Sequence, residues 1–105
     1  MEAIMETLGE LLAYAARRGY ELIEMNTRTM QAAAFPDGYI VYDKSKFRNE
    51  FEMACTIAHE IGHQETDTFY KWDSPVEVKA ECEKRADDWA AKHFRGYIPT
   101  RELLA

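Results

Sequence analysis

Basic residues are scarce in this chain. Thirteen Lys and Arg stand against nineteen Asp and Glu, a formal net charge of −6 over 105 residues. A nucleic-acid binder needs a basic face to displace counterions, so direct contact with nucleic acid is not expected. Docking on an anionic membrane surface is unfavourable for the same reason. Long apolar runs are missing as well, since no stretch approaches the ~18 residues that cross a bilayer. The first ten residues carry Glu2, Glu6 and Glu10 and nothing basic, whereas a secretory signal starts basic and continues apolar. Two cysteines, Cys55 and Cys82, are too few for a disulfide framework. These absences point to a reduced, cytoplasmic protein. Repeats, low-complexity tracts and long linkers are absent too, and a single domain over 1–105 is expected. Hydrophobic residues make up 47% and aromatics 12%, enough for an ordinary core without metal or disulfide staples.

The pattern along the chain predicts an α+β fold. Ile4, Leu8, Leu11, Leu12 and Ala15 recur at helical spacing, with Arg17 and Arg18 in the last turn and Gly19 as the stop, so a helix is expected over residues 2–18. Strands are expected at Glu21–Glu24, Ala32–Phe35 and Tyr39–Tyr42, the last two joined as a hairpin by Pro36-Asp37-Gly38. Asn49 and Glu52 form a capping-box pattern ahead of Phe51, Ala54, Cys55, Ile57, Ala58, Ile61 and Gly62. That run is apolar on most sides, as suits a buried central helix. Residues 64–73 read as a loop. Ser74-Pro75-Val76-Glu77 then combines an N-cap serine, proline at the first helical position and glutamate at the third. A helix from there to Phe94 stops at Gly96, and a short turn follows over Arg101–Leu104. The expected architecture is an N-terminal helix, a three-stranded antiparallel or mixed sheet, a central helix and a C-terminal helix, with the helices on one side of the sheet.

His59-Glu60-Ile61-Gly62-His63 places two histidines four residues apart, one turn above the other on one helix face. Such a pair can hold one metal ion while the glutamate beside the first histidine reaches a water. Shuffling this composition yields the pattern with a frequency of roughly 0.7%, so context must decide. The context is the most apolar helix of the chain, where three polar side chains are costly without partners. The competing reading is a buried histidine pair satisfied by core hydrogen bonds.

A catalytic zinc site usually takes a third protein ligand from another element. Val76, Ala80, Ala86, Ala90 and Phe94 mark the apolar stripe of the last long helix, and Glu83 lies on it while Glu77, Glu81 and Asp88 lie off it. Glu83 is therefore the expected third ligand, and Asp87, one turn on, is expected to orient a ligand imidazole. A rim ion pair of Glu83 with Arg85 or Lys79, and an ordinary exposed carboxylate at Asp87, are the bland alternatives. His93 is a helix-end histidine and the other candidate ligand or transition-state donor. Cys55 reads as a small buried hydrophobe. Glu60 and His63 also match half of a di-iron motif, but a second half is missing from the sequence.

The stretch Phe51–Leu104 resembles the ImmA/IrrE metallopeptidases, zincins with a glutamate third ligand. The likeness rests on Thr56-Ile57-Ala58-His59-Glu60-Ile61-Gly62-His63, on Glu83, Ala86, Asp87, Trp89 and Ala90, and on Ile98-Pro99. Tyr39–Tyr42 is similar to the strand that precedes the active helix in that family. The resemblance implies a small zincin-like domain with one Zn2+ per chain on His59, His63 and Glu83, and Glu60 as base. It implies hydrolysis of a protein or peptide substrate, with DNA-binding repressors or regulators of mobile elements and stress responses as the candidates. Glu60 is then expected to take the proton of the attacking water and return it to the leaving amine. Tyr42, Tyr70 and His93 are available as oxyanion donors. An extended substrate is expected to pair with Tyr39, Ile40, Val41 and Tyr42. The alternative function is a metal-binding regulatory or partner-binding module of phage or toxin–antitoxin type, without proteolysis. A closed site of that kind needs a fourth ligand, Cys55 or His93.

Overall fold

A computed structural model describes residues 4–103 and shows an α+β globule with four α-helices and a three-stranded mixed sheet. The first helix, α1 (Leu8–Arg17), is shorter than expected because Thr7 captures its start: the Thr7 hydroxyl accepts the Glu10 N–H at 3.1 Å. Residues 2 and 3 of the expected helix lie outside the described part. Residues just before the cap are drawn into another partnership. The Met5 N–H donates to the His93 carbonyl at 2.7 Å and Met5 accepts from the Arg95 N–H at 2.9 Å, which buries Met5 and leaves Ile4 exposed.

Strands β1 (Glu21–Glu24), β2 (Ala32–Phe35) and β3 (Tyr39–Tyr42) have the expected bounds. Their order is β1-β3-β2, with β3 parallel to β1 and antiparallel to β2. The hairpin turn puts Asp37 and Gly38 at φ of 75° and 86°, a backbone region open to glycine and tolerated by aspartate.

Helix α2 (Glu50–Thr66) runs through the centre, with Cys55, Ile57, Ala58 and Ile61 fully buried. Each isoleucine there contributes roughly 1.5–3 kcal/mol of apolar burial. Asn49 caps the helix by accepting the Glu52 N–H at 2.8 Å. The Glu52 carboxylate does not serve the box; Arg48 at 2.6 Å and Gln31 at 3.0 Å take it instead. Phe51, expected in the apolar run, is exposed. The helix also runs past its expected end, to Thr66, and stops when Asp67 turns left-handed at φ 53°.

Helix α3 (Val76–His93) begins without the serine cap read from the sequence. The Ser74 hydroxyl accepts the Lys71 N–H at 2.9 Å and so closes the preceding loop rather than the helix. The buried face of α3 is Cys82, Ala86, Ala90 and His93, whereas Val76 and Ala80, placed on the stripe by periodicity, are exposed. The first turn of α3 overhangs solvent, so apolar spacing there reports no core. Helix α4 (Thr100–Leu103) closes the described chain; its Thr100 hydroxyl meets that of Thr56 at 3.1 Å. Arg48 ties it down by donating to the Leu103 carbonyl at 2.6 Å. No helix among the described residues is long and apolar enough to cross a membrane.

Candidate metal centre

The centre exists because α2 and α3 approach closely. A Cβ at Gly62 would lie 2.5 Å from the Ala86 carbonyl oxygen, so only glycine lets the helices meet here. That contact sits between the two histidines of α2 and brings Glu83 of α3 against both. His59 Nε2 is 3.4 Å from one Glu83 oxygen and His63 Nε2 is 2.6 Å from the other. His59, Glu60 and His63 also offer donor atoms within 4.8 Å of one another. The four residues singled out from sequence are thus assembled in one place. The rim pairing of Glu83 with Lys79 is not made, as Lys79 donates to the Trp72 carbonyl.

Each imidazole has one nitrogen committed to an acceptor. His63 Nδ1 donates to the Thr68 carbonyl at 2.8 Å, with the Thr68 hydroxyl at 3.2 Å. His59 Nδ1 donates to Asp87 Oδ1 at 2.8 Å. Carbonyls and carboxylates only accept, so both Nδ1 atoms carry hydrogen and each ring, when neutral, presents an Nε2 lone pair. Those lone pairs face a carboxylate. The 2.6 Å contact of His63 with Glu83 lacks hydrogen-bond geometry, and Glu83 Oε2 and Glu60 Oε2 are buried with no hydrogen-bond partner. Two acceptors so close repel unless a proton or a cation lies between them. The donor set is that of a tetrahedral His, His, carboxylate site with an open position, and the orphaned oxygens fit a bound divalent cation.

Asp87 is clamped from three sides. Besides His59 it accepts the Tyr97 hydroxyl at 2.6 Å on Oδ1 and Arg101 Nη1 at 3.0 Å on Oδ2. Burial opposes its charge, but Tyr97, Arg101 and His59 outweigh that and hold the carboxyl below its usual range. Burial likewise disfavours the His59 cation, yet Glu83, Glu60 and Asp87 push its pKa up to about 9, so that without a bound cation a proton on Nε2 answers Glu83 near neutral pH. Glu83 is held well below the carboxylate range, because the two imidazoles overcome the cost of burial. Glu60 goes the other way: burial raises it, against the pull of His59 and His63.

An open cleft crosses the centre, with Glu60, Glu83 and Ala32 common to its two arms. One wall is β2. This corrects the expected substrate strand: Tyr39, Ile40, Val41 and Tyr42 form β3, which is hydrogen-bonded on both edges and has no free groups to offer. Of the two edge strands, β1 and β2, the one that lines the cleft is β2. The Gln31 carbonyl accepts the Asp43 N–H at 2.9 Å, so by alternation Ala33 and Phe35 face β3 while Ala32 and Ala34 turn their N–H and C=O outward.

The remaining candidates separate clearly. Tyr70 lines the cleft beside Glu60 and Glu83. Tyr42 belongs to the central strand. His93 stacks on Trp89 at 4.3 Å and bonds to the Trp89 carbonyl, and Cys55 lies in the core, so neither joins the cluster. Sequence reasoning missed Thr68, Tyr97 and Arg101. Thr68 and Tyr97 come from irregular segments and Arg101 from a four-residue helix, where side-chain spacing carries no periodic signal; only Gly62, between the two histidines, hinted at a close helix contact. Compared with protein-family models, curated proteins and solved structures, the chain matches none.

Proposed function

We propose that this chain is a zinc-dependent metallo-endopeptidase, a small zincin-like domain of ImmA/IrrE type acting in the cytoplasm on a protein or peptide such as a DNA-binding repressor. The observation that carries this reading is the pair of imidazoles with Nδ1 committed and Nε2 facing the Glu83 carboxylate, whose Oε2 has no hydrogen-bond partner. His59, His63 and Glu83 are the ligands, since Glu83 touches both Nε2 atoms. Zinc bound there supplies a Lewis acid for a carbonyl oxygen and an acidified water.

The chain's own residues do the rest. Asp87 fixes the His59 ring and Thr68 fixes the His63 ring. Glu60, its oxygen free and its proton affinity raised by burial, accepts a proton from the attacking water and returns it to the leaving amine. Ala32 and Ala34 hold an extended peptide by β-addition, and their small side chains keep the cleft floor open. Tyr70, which lines the cleft with Glu60 and Glu83, offers a hydroxyl for the developing oxyanion. The fourth ligands named for a closed, regulatory site, Cys55 and His93, are engaged elsewhere.

The test is metal content per chain for wild type, Glu83→Ala and His93→Ala, paired with peptide cleavage. One zinc in wild type and in His93→Ala, lost in Glu83→Ala, is the expected result. Zinc retained in Glu83→Ala moves the third ligand elsewhere; no uptake by wild type ends the metallopeptidase reading.

A further inference from the structure

The two arms of the cleft differ in chemistry. The first runs along Ala33, Ala34, Phe35 and Pro36 and is faced by Phe69 and Tyr70. Its walls are largely apolar, with Lys71 as the one cation in the lining. The second lies beyond Ala32, where Gln31, Thr56, Thr100, His59, Asp87 and Arg101 make a polar wall in which Arg101 is the cation and Asp87 its partner. The arms measure about 560 and 450 Å³, room for a large side chain in each. Glu60 and Glu83 stand where they meet.

Arg101 is unlike the other residues of its arm. It is 68% exposed, and Asp87 engages one of its two terminal nitrogens. A guanidinium has five N–H donors in a planar fork, so the rest can receive a second carboxylate. Antiparallel pairing is the more stable geometry for an added strand, and in it the polarity of β2 orients the occupant. A peptide antiparallel to β2 places its N-terminal side by Phe35 and its C-terminal side by Gln31 and Arg101.

From this asymmetry we propose that the cleft selects extended peptides with a bulky apolar residue before the centre and an acidic residue after it. The proposal deepens the peptidase reading and rests on it for the position of the scissile bond. Apolar burial holds the first side chain, Arg101 holds the second, and Ala32 and Ala34 hold the backbone between them.

The experiment is fluorescence anisotropy of labelled octapeptides on the wild-type chain with chelator present, so that no cleavage intervenes. The octapeptides carry Phe and Glu on either side of two small residues, with three controls: Phe→Ser, Glu→Gln, and the two positions exchanged. Phe over Ser is expected to tighten binding by about tenfold. Glu over Gln is expected to tighten it by about fivefold, a ratio that falls to one in Arg101→Gln and persists in part in Arg101→Lys. Equal affinity for Glu and Gln, a ratio unchanged in Arg101→Gln, equal binding of the exchanged peptide, or no binding at all each overturns the proposal. Zinc content, measured on the same preparation, separates the two claims. Selective binding without zinc uptake sustains the cleft and sinks the peptidase; zinc uptake without selectivity does the reverse.

Discussion

Glu60 and Glu65 stand five residues apart on α2, and both side chains are recessed. Their surroundings are opposite. Glu65 accepts the hydroxyls of Tyr14 and Tyr20 and the Arg18 guanidinium, the latter at 3.1 Å. Burial opposes its charge, but these donors outweigh it and hold the carboxyl below the usual range. Glu60 keeps a buried oxygen with no partner and a raised proton affinity. One carboxylate fastens α2 to the end of α1. The other is kept short of donors, which a purely structural glutamate has no reason to be.

The largest expected effect breaks the contrast at Glu60. Glu60→Gln leaves zinc content intact and lowers peptide cleavage by about a hundredfold to ten-thousandfold, measured as kcat/KM. Cleavage at the wild-type rate removes Glu60 from the chemistry. Next comes Asp87→Ala, which frees the His59 ring; zinc affinity by competition with a chelator falls about tenfold to a hundredfold. Unchanged affinity denies Asp87 its positioning role.

Gly62→Ala attacks the helix contact that both regions share. The added methyl must displace the Ala86 backbone, at a cost of about 1–3 kcal/mol in urea unfolding, together with weaker zinc uptake. A variant as stable as wild type contradicts the close approach. Glu65→Gln sharpens the comparison from the other side: stability falls by about 1–3 kcal/mol while zinc content is retained.

The pH dependence follows the same division. Glu65 has a folded pKa below its unfolded value of about 4.5, so its stabilisation is complete above that pH and is lost as pH falls through the folded value. Urea melts between about pH 3 and pH 6 are expected to show a shallower acid limb in Glu65→Gln than in wild type. Parallel acid limbs rule out Glu65 as a source of acid lability.

The strands were readable from the turn residues that bound them and, in β3, from a β-branched and aromatic run; β2, Ala32-Ala33-Ala34-Phe35, was legible through its turn alone. The hairpin was readable because Asp37 and Gly38, which follow Pro36, tolerate positive φ. Helix ends were harder. Thr7 and Ser74 are both plausible caps, yet one caps α1 and the other closes a loop. A hydroxyl bonds to whichever N–H the fold presents, and local sequence does not record which that is. Glu83 was singled out through a stripe whose first members, Val76 and Ala80, turned out exposed. The position still lies against α2, because a stripe drawn a fraction of a turn off centre overlaps the true face.

The sequence by itself determined the chemical inventory and its local spacing: two imidazoles one turn apart, a glutamate beside them, and helices and strands in the right order. Periodicity is a short-range property, and a helix carries it wherever it packs. Tertiary structure alone decided which oxygens remain unpaired, that Thr68, Tyr97 and Arg101 support the histidines and Asp87, and that β2 rather than β3 is the open edge. Those outcomes depend on contacts between segments distant in the chain. The meeting of α2 and α3 at Gly62 and the strand order β1-β3-β2 set them, and no window of sequence contains either.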